Sequence, residues 1–412
     1  MGSNQVDVAI VGGGVIGSAA AYYLARSGAD VVVVEPAPGR GASAGNAGLV
    51  VPSYSLPMSN PGVLLAGVRS LWGADPAATL SRPLSLRTLL WLGRFAVASR
   101  PGRAMRDARR LGELAAASMR LYDDLLNDLE VCSHSSGFLH VARDPAIWQA
   151  ERKAASRLAG LGIRHEVLDA AALANAEPGM ADGFAGAVRF PDDRALDPAA
   201  VTNAVLAAAV RSGAVVRTDR VVGVRMRDRR ADAIETTGGP VRARAFVLAA
   251  GADSAAVGRL FGLRLKVEAG YGWSLTLPAP NRLLDHALMC ADDHVILTST
   301  PGRLRLTGGM EFGGPPGAPK AEAIARLRAV AERALPAVRR ITADGTAWRG
   351  ARPMTPSGLP VIRRFGGDSG NVVVATGHGT LGLTLAPATG RIVARLLAPT
   401  QKGSVGTSSR SL

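Results

Sequence analysis

Aromatic side chains account for only 4% of this 412-residue chain, and cysteine occurs just twice. With so few aromatics, aliphatic side chains must fill the core, and a nucleic-acid surface would lack its usual base-stacking platforms. Cys132 and Cys290 stand far apart and outside any CxxC spacing. That excludes a disulfide framework and points to two unpaired thiols in a reducing cytoplasm. Histidine is scattered, with no HExxH or comparable pattern, so no metal is expected. Nowhere do about eighteen apolar residues follow one another, so no transmembrane helix is expected. The N-terminus enters an apolar run by residue 6 and meets glycines by residue 12, which leaves no room for a signal peptide.

Hydrophobic residues make up 47% of the chain, and its length allows two domains with large cores. Lys and Arg total 48 against 33 acidic residues, a net charge of +15. Nearly all of the cations are arginine, and they are spread rather than blocked. Solvated arginines reflecting a compositional bias are the preferred reading, and no nucleic-acid partner is expected. A diffuse positive field attracting anionic substrates or an anionic membrane surface is the alternative.

Residues 7–35 are the stretch that the rest appears built around. Asp7-Val-Ala-Ile-Val is a short apolar run suited to a strand buried on both faces. It runs into Gly12-Gly13-Gly14-Val15-Ile16-Gly17, a GxGxxG spacing, and then into a helix-patterned segment that Gly28 can stop. A second buried strand follows and ends on Glu35, then Pro36. Gly12 permits the tight turn, Gly14 lets backbone N–H groups approach a pyrophosphate, and Gly17 lets helix and strand pack closely. The helix N-terminus, carrying roughly half a positive charge, favours an anion. Glu35 lies about twenty residues past the glycines, where an acid accepts from a ribose 2′-hydroxyl and repels a 2′-phosphate. The order of parts indicates dinucleotide binding by something other than NADP.

Small residues crowd the next loop, 36–51, as suits backbone lying against something flat or phosphorylated. An irregular loop at 52–61 carries Tyr54 and several prolines, Pro57 and Pro61 among them. Helices are expected at 84–98, 103–129, 147–161, 199–211, 321–334 and 383–397. In the first of these, Leu86, Leu89, Leu90, Trp91 and Phe95 cluster, either in a core or on an exposed face for a membrane or partner. Buried strands are expected at 246–251 and 371–376, alternating strands at 271–277, 294–298 and 304–307, and a proline-studded loop at 348–362. Buried strand and helix elements at the start, middle and end suggest a discontinuous domain of residues 1–85, 196–262 and 346–400. Residues 86–195 and 263–345 would form the second domain, and 401–412 a disordered tail.

Four stretches together resemble the D-amino-acid oxidase superfamily of FAD enzymes, and within it the bacterial D-amino-acid dehydrogenases. They are the glycine turn 12–17, Ser43-Ala-Gly-Asn-Ala-Gly48, Trp348-Arg-Gly-Ala-Arg-Pro-Met-Thr-Pro-Ser-Gly-Leu-Pro360 and Ala375-Thr-Gly-His-Gly-Thr-Leu-Gly382. The resemblance implies an α/β protein with a Rossmann-type FAD-binding domain of the GR2-like kind. A second, α+β substrate domain would cover the flavin with a mostly antiparallel sheet. It places Ser43, Asn46, Ala47 and Gly48 beside the pyrophosphate and ring, the Val222 backbone at the adenine, and Ala250 and Gly251 near the diphosphate. Gly377, His378, Gly379, Thr380, Leu381 and Gly382 would lie over the pyrimidine edge, with the last helix aiming its N-terminus there. His378 would pack and hydrogen-bond rather than act as acid or base.

Arg352 matches the family's substrate-carboxylate arginine; a salt-bridged arginine inside a loop is the structural alternative. Tyr54 matches a pocket-lid tyrosine, or is simply part of its loop. Tyr271-Gly272-Trp273-Ser274 replaces the usual Lys-Gly-Tyr-Ser-like run, which implies an altered pocket at Tyr271 and Trp273. No cysteine occurs between Trp348 and Pro353, where sarcosine oxidases attach flavin, so FAD is expected to be non-covalent. The implied reaction is hydride transfer from the α-carbon of a small amino acid to flavin N5, giving an imine and then a 2-oxo acid and ammonia. The electron acceptor is a quinone, another carrier or O2. Alternatives are an oxidase of glycine, sarcosine or proline, a tailoring enzyme on an unusual amino acid, and, more distantly, an RNA-modifying flavoprotein. A cytoplasmic location is expected, with peripheral contact at the inner face of a membrane as an option.

Overall fold

The N-terminal apolar run forms the central strand Gln5–Val11 in this computed structural model, which describes residues 5–56, 59, 79–81, 83–131, 137–228, 230–279, 281–314, 316–367 and 370–398. The expectations for Cys132, Pro57, Pro61 and the tail beyond residue 398 lie outside these residues. Val31–Val34 pairs in parallel on one side of the central strand, with Val215–Arg217 beyond it. Val241–Leu248 pairs in parallel on the other side. The first half of Val241–Leu248 alternates buried and exposed, and carries the antiparallel strand Arg230–Thr236. Its last three residues, Phe246–Leu248, are buried, and there Val372–Thr376 takes over as the parallel neighbour.

Side chains of the central strands leave on alternate faces. Val8, Ile10, Val31 and Val33 pack under the helices Val15–Arg26, Pro198–Arg211 and Gly382–Leu397, while Ala9, Val11, Val32 and Val34 join Phe246, Ile234 and Phe261 opposite. Gly28, at φ +85°, follows the first helix as its left-handed stop. The alanine-rich first helix lies against the last so closely that a Cβ on Gly390 would come within 2.6 Å of the Ala19 carbonyl oxygen.

The second sheet is mostly antiparallel. Its long strands Glu268–Ala279 and Gly302–Phe312 pair along their length, and Val295–Thr300, Ala287–Cys290 and Phe138–Ala142 continue it. The helix Ala321–Ala334 covers one face through Leu327, Val330 and Ala331, over Leu275, Leu277, Leu304 and Leu306. Cys290 lies buried here as a free thiol, its pKa pushed up to about 12 by burial.

The stretch 348–362 is not the expected loop. Thr346–Met354 is a strand paired with Glu268–Ala279 along its whole length, and Val361–Phe365 pairs antiparallel with Val372–Thr376. Pro353 is tolerated because its strand is the outermost of the sheet. The helix at 84–98 is core on one face and exposed on the other. It spans Leu86–Ala98, capped by Ser85 accepting from the Thr88 amide. Trp91 is buried against Phe312 and Met354, whereas Leu86, Leu89 and Leu90 are exposed.

Candidate active site

One cavity of about 760 Å³ runs from the glycine turn to the face of the second sheet. At its first end the turn is built as its sequence demands. Gly12 has φ +105° and no room for a Cβ beneath Ala249, and a Cβ on Gly17 would overlap the Gly12 carbonyl oxygen. Gly14 is different: among the described residues, the one atom within 4 Å of its missing Cβ is the Ser43 hydroxyl, at 3.2 Å. The helix Val15–Arg26 starts there with no side-chain cap and no acid in its first turn. Ser43 Oγ accepts from the Val15 amide at 3.0 Å. Glu35 accepts from the Gly13 amide at 2.8 Å and the Ala37 amide at 3.0 Å, which fixes its carboxylate at the cavity edge. Each of its oxygens keeps a free lone pair for a ribose hydroxyl. Val15, Ile16, Pro36, Ala250 and Gly251 border the same end. A bare glycine at a helix N-terminus and a held carboxylate along one channel fit a dinucleotide.

Val222 is outside the cavity lining: it is 55% exposed within a register irregularity, and its neighbours Arg220 and Val221 border the cavity. Gly17, Gly48, Gly377 and Leu381 are also outside the lining and serve shape. Gly48 sits at φ +81° with the Leu196 carbonyl where a Cβ would be, and Gly377 at φ +80° faces the Thr355 methyl in the same way. Leu381 is core.

At the other end Arg352, Tyr54, Tyr271 and Trp273 come together in the lining, as the sequence proposed. Arg352 Nη1 donates to the Gly309 carbonyl at 2.7 Å. No carboxylate pairs with it among the described residues. Burial lowers its pKa to about 10, so it stays a cation at neutral pH. Tyr54 sits on the turn Pro52–Ser55 and donates to Met289 Sδ at 2.9 Å. Its ring stacks on Phe138 and meets His140 edge-on, and Glu151 holds His140 Nδ1 at 2.7 Å. Burial, then the Glu151 and Asp193 carboxylates, raise the Tyr54 pKa above its ordinary value, so it remains a neutral hydroxyl. Trp273 is buried, its ring filling the space left by Gly309 at φ +75°. The Arg349 guanidinium lies 4.1 Å over the Tyr271 ring and pairs with Glu311 at 2.9 Å.

Between the two ends, His378, Gly379, Thr380 and Gly382 line the cavity where the last helix begins without a side-chain cap. Gly379 donates to the Pro353 carbonyl at 3.0 Å, which ties this loop to the strand bearing Arg352. His378 Nε2 lies 3.0 Å from Thr389 Oγ1, and burial lowers its pKa to about 3. It is therefore a neutral hydrogen-bonding group, in keeping with the expected packing role.

Sequence reasoning missed Trp348, Arg349, Thr298 and Arg305. The Trp348 indole lies against Gly45 and Gly350, neither of which has room for a Cβ. Arg305 and Thr298 hold the loop 44–47 from the second sheet. The one available signal was the alternation Arg303-Leu-Arg-Leu-Thr307, which puts 303, 305 and 307 on one strand face.

Fold and cavity define a Rossmann-type flavoprotein with a second large, mostly antiparallel sheet. The chain belongs to the FAD dependent oxidoreductase family (DAO), which matches residues 7–396. It is 33% identical over 406 residues to a D-amino acid dehydrogenase of Methylobacterium nodulans, covering 95% of this chain and 94% of that one. It is 32% identical over 419 residues to the D-amino acid dehydrogenase of Paramagnetospirillum magneticum, with 95% of each chain covered. Among solved structures, glycine oxidase from Geobacillus kaustophilus superposes with a TM-score of 0.76 at 25% identity, over 96% of this chain and 95% of that one. L-proline dehydrogenase from P. horikoshii, at 17% identity and a TM-score of 0.73 over 96% and 93%, shares the fold.

Proposed function

We propose that this protein oxidises a small amino acid at its α-carbon, with D-amino acids as the preferred class and Arg352 holding the carboxylate. The observation that carries this reading is the guanidinium in the cavity with no acid partner among the described residues. A substrate carboxylate supplies the missing counter-charge and meets parallel N–H donors. FAD, held non-covalently, supplies the two-electron acceptor when bound. Tyr54 stays protonated beside Arg352 and covers the substrate; Tyr271 and Trp273 shape the side-chain end. His378 stays neutral and moves no proton. No protein base is required, because a neutral substrate amine held in line by its carboxylate already supplies alignment. The imine product hydrolyses to a 2-oxo acid and ammonia. The names of the relatives support the D-amino acid preference.

Anaerobic mixing with D- and L-amino acids, imino acids and N-methyl amino acids tests the reading through bleaching of the flavin absorbance. Bleaching by D-amino acids ahead of the others supports it; bleaching by none of the panel overturns it. Peroxide accumulation under air identifies O2 as acceptor, and its absence a quinone or other carrier.

A peripheral membrane contact is favoured by one surface. Leu86, Leu89 and Leu90 are exposed, Arg87, Arg94, Arg100, Arg103 and Arg106 are exposed around them, and Asp107, the acid of this stretch, is buried. Apolar side chains fringed by arginines suit an anionic bilayer. Co-sedimentation with phosphatidylglycerol vesicles, lost in Leu89→Asp and absent with phosphatidylcholine, is the expected result. Equal recovery of wild type and variant in the supernatant rejects the contact. Among the described residues no helix is long and apolar enough to cross a membrane.

A further inference from the structure

Arg305 is a half-buried cation that spends its hydrogen bonds on backbone rather than on an acid. Its Nη1 donates to the Ala44 carbonyl at 3.0 Å and the Asn46 carbonyl at 2.8 Å, and its Nε to Thr276 Oγ1 at 3.2 Å. It forms no ion pair among the described residues, although its neighbour Arg303 pairs with Asp197. Burial lowers its pKa, as for a cation drawn out of water without a carboxylate beside it. Thr298 Oγ1 donates to the next carbonyl, Ala47, at 2.9 Å. Three carbonyls of one short loop are thus pulled toward the second sheet.

A trans peptide points its N–H opposite to its C=O. With the Ala44, Asn46 and Ala47 carbonyls held toward the sheet, the amides of Gly45, Ala47 and Gly48 face the other way. The Gly48 amide is used internally, donating to Asn46 Oδ1 at 2.8 Å. The Gly45 and Ala47 amides donate to no protein acceptor among the described residues, and both residues line the cavity. Amides turned into a cavity without a protein partner invite an acceptor, so a loop held open in this way fits one that arrives with a ligand.

We propose that Arg305, assisted by Thr298, is a positioning residue that holds the Gly45 and Ala47 amides as hydrogen-bond donors to the flavin ring of bound FAD. Donors fixed before the ring arrives cost no reorganisation when negative charge develops on it. This role rests on FAD binding, not on which amino acid is oxidised.

The test uses the full chain with Arg305→Lys, Arg305→Gln and Thr298→Val, titrating FAD into deflavinated protein and measuring the midpoint potential of the bound flavin. Lysine keeps the charge but cannot chelate two carbonyls and a hydroxyl, so Arg305→Lys is expected to weaken FAD binding at least about tenfold and lower the potential. Arg305→Gln shifts both further, and Thr298→Val shifts both less, in the same direction. Wild-type FAD affinity and potential in folded Arg305 variants overturn the proposal, and a lowered melting temperature alone then marks a structural residue. If both Arg305 variants fail to fold, an unshifted Thr298→Val overturns it equally. A wild-type chain that takes up no FAD takes down the cofactor assignment together with this role, whereas unbleached but normally bound flavin leaves this role standing and removes only the substrate.

Discussion

The guanidinium of Arg352 lies over the bare backbone of Gly272, in the space where a side chain at that position would begin. Their strands are paired, with Arg352 opposite Gly270 and Gly272 opposite Gly350. Gly272 is not in the left-handed region, so an alanine there meets only a steric obstacle. Gly272→Ala is expected to displace the guanidinium and raise KM for the amino acid about ten- to a hundredfold, at unchanged FAD content. Steady-state kinetics and flavin absorbance check this; a wild-type KM shows that the seat is not needed.

Removing the cation itself has a larger effect. Arg352→Ala leaves a substrate carboxylate buried without a counter-charge, a loss of roughly 3–5 kcal/mol. The expected result is a fall of at least about a hundredfold in kcat/KM. Arg352→Lys recovers part of it, because a lysine restores charge without the paired donors. Unchanged kinetics in Arg352→Ala would rule out the carboxylate assignment.

Asp193 and His378 are expected to give stability opposite dependences on pH. Burial raises the Asp193 pKa from 3.8 to about 7, while the Ser53 hydroxyl and amide donate to it. Between those values the folded protein holds a proton that the unfolded chain has lost, so stability falls as pH rises. His378 is lowered from 6.5 to about 3, so over that interval the unfolded chain holds the extra proton and stability rises with pH. Each contributes a slope of up to about 1.4 kcal/mol per pH unit, and from about pH 4 to 6.5 they offset. Asp193→Asn should expose the rising slope and His378→Gln the falling one, in denaturant melts at pH 4.5 and 6.5. Parallel curves for both variants and wild type would contradict these protonation states.

The parts of this site that were legible in the sequence are those whose chemistry is local. Gly12 and Gly17 are dictated by one turn, and Asp197 with Pro198 announces a helix start that the structure confirms through the Ala199 and Ala200 amides. The strand at 346–354 was hidden because Pro353, with Pro356 and Pro360 just beyond it, read as a breaker, and only the finished sheet shows that it lies at an edge. Val222 sits within a register irregularity between Val221 and Gly223, which the local sequence does not announce. Arg305 and the Ala44 carbonyl it holds are 261 residues apart, so nothing near either announces the other. Arg352 was likewise recognisable only by likeness, since its lack of an acid partner among the described residues belongs to the folded structure.

Gly14 and Gly17 share one motif, and the structure gives them separable roles. Gly14 has φ −68°, an ordinary value for any residue, and a Cβ there would meet only the movable Ser43 hydroxyl. Gly14→Ala should therefore leave the stability of the FAD-free protein within about 0.5 kcal/mol of wild type, as for a surface substitution. Yet that Cβ would stand in the cavity at the helix N-terminus, where a pyrophosphate needs to approach the backbone. FAD affinity is expected to fall at least about tenfold. Gly17→Ala reverses the pattern, because its Cβ collides with the Gly12 carbonyl and the fold itself must shift. It should lower the melting temperature of the FAD-free protein, and lose FAD only as a consequence. If Gly14→Ala binds FAD as tightly as wild type, the pyrophosphate does not lie against this turn.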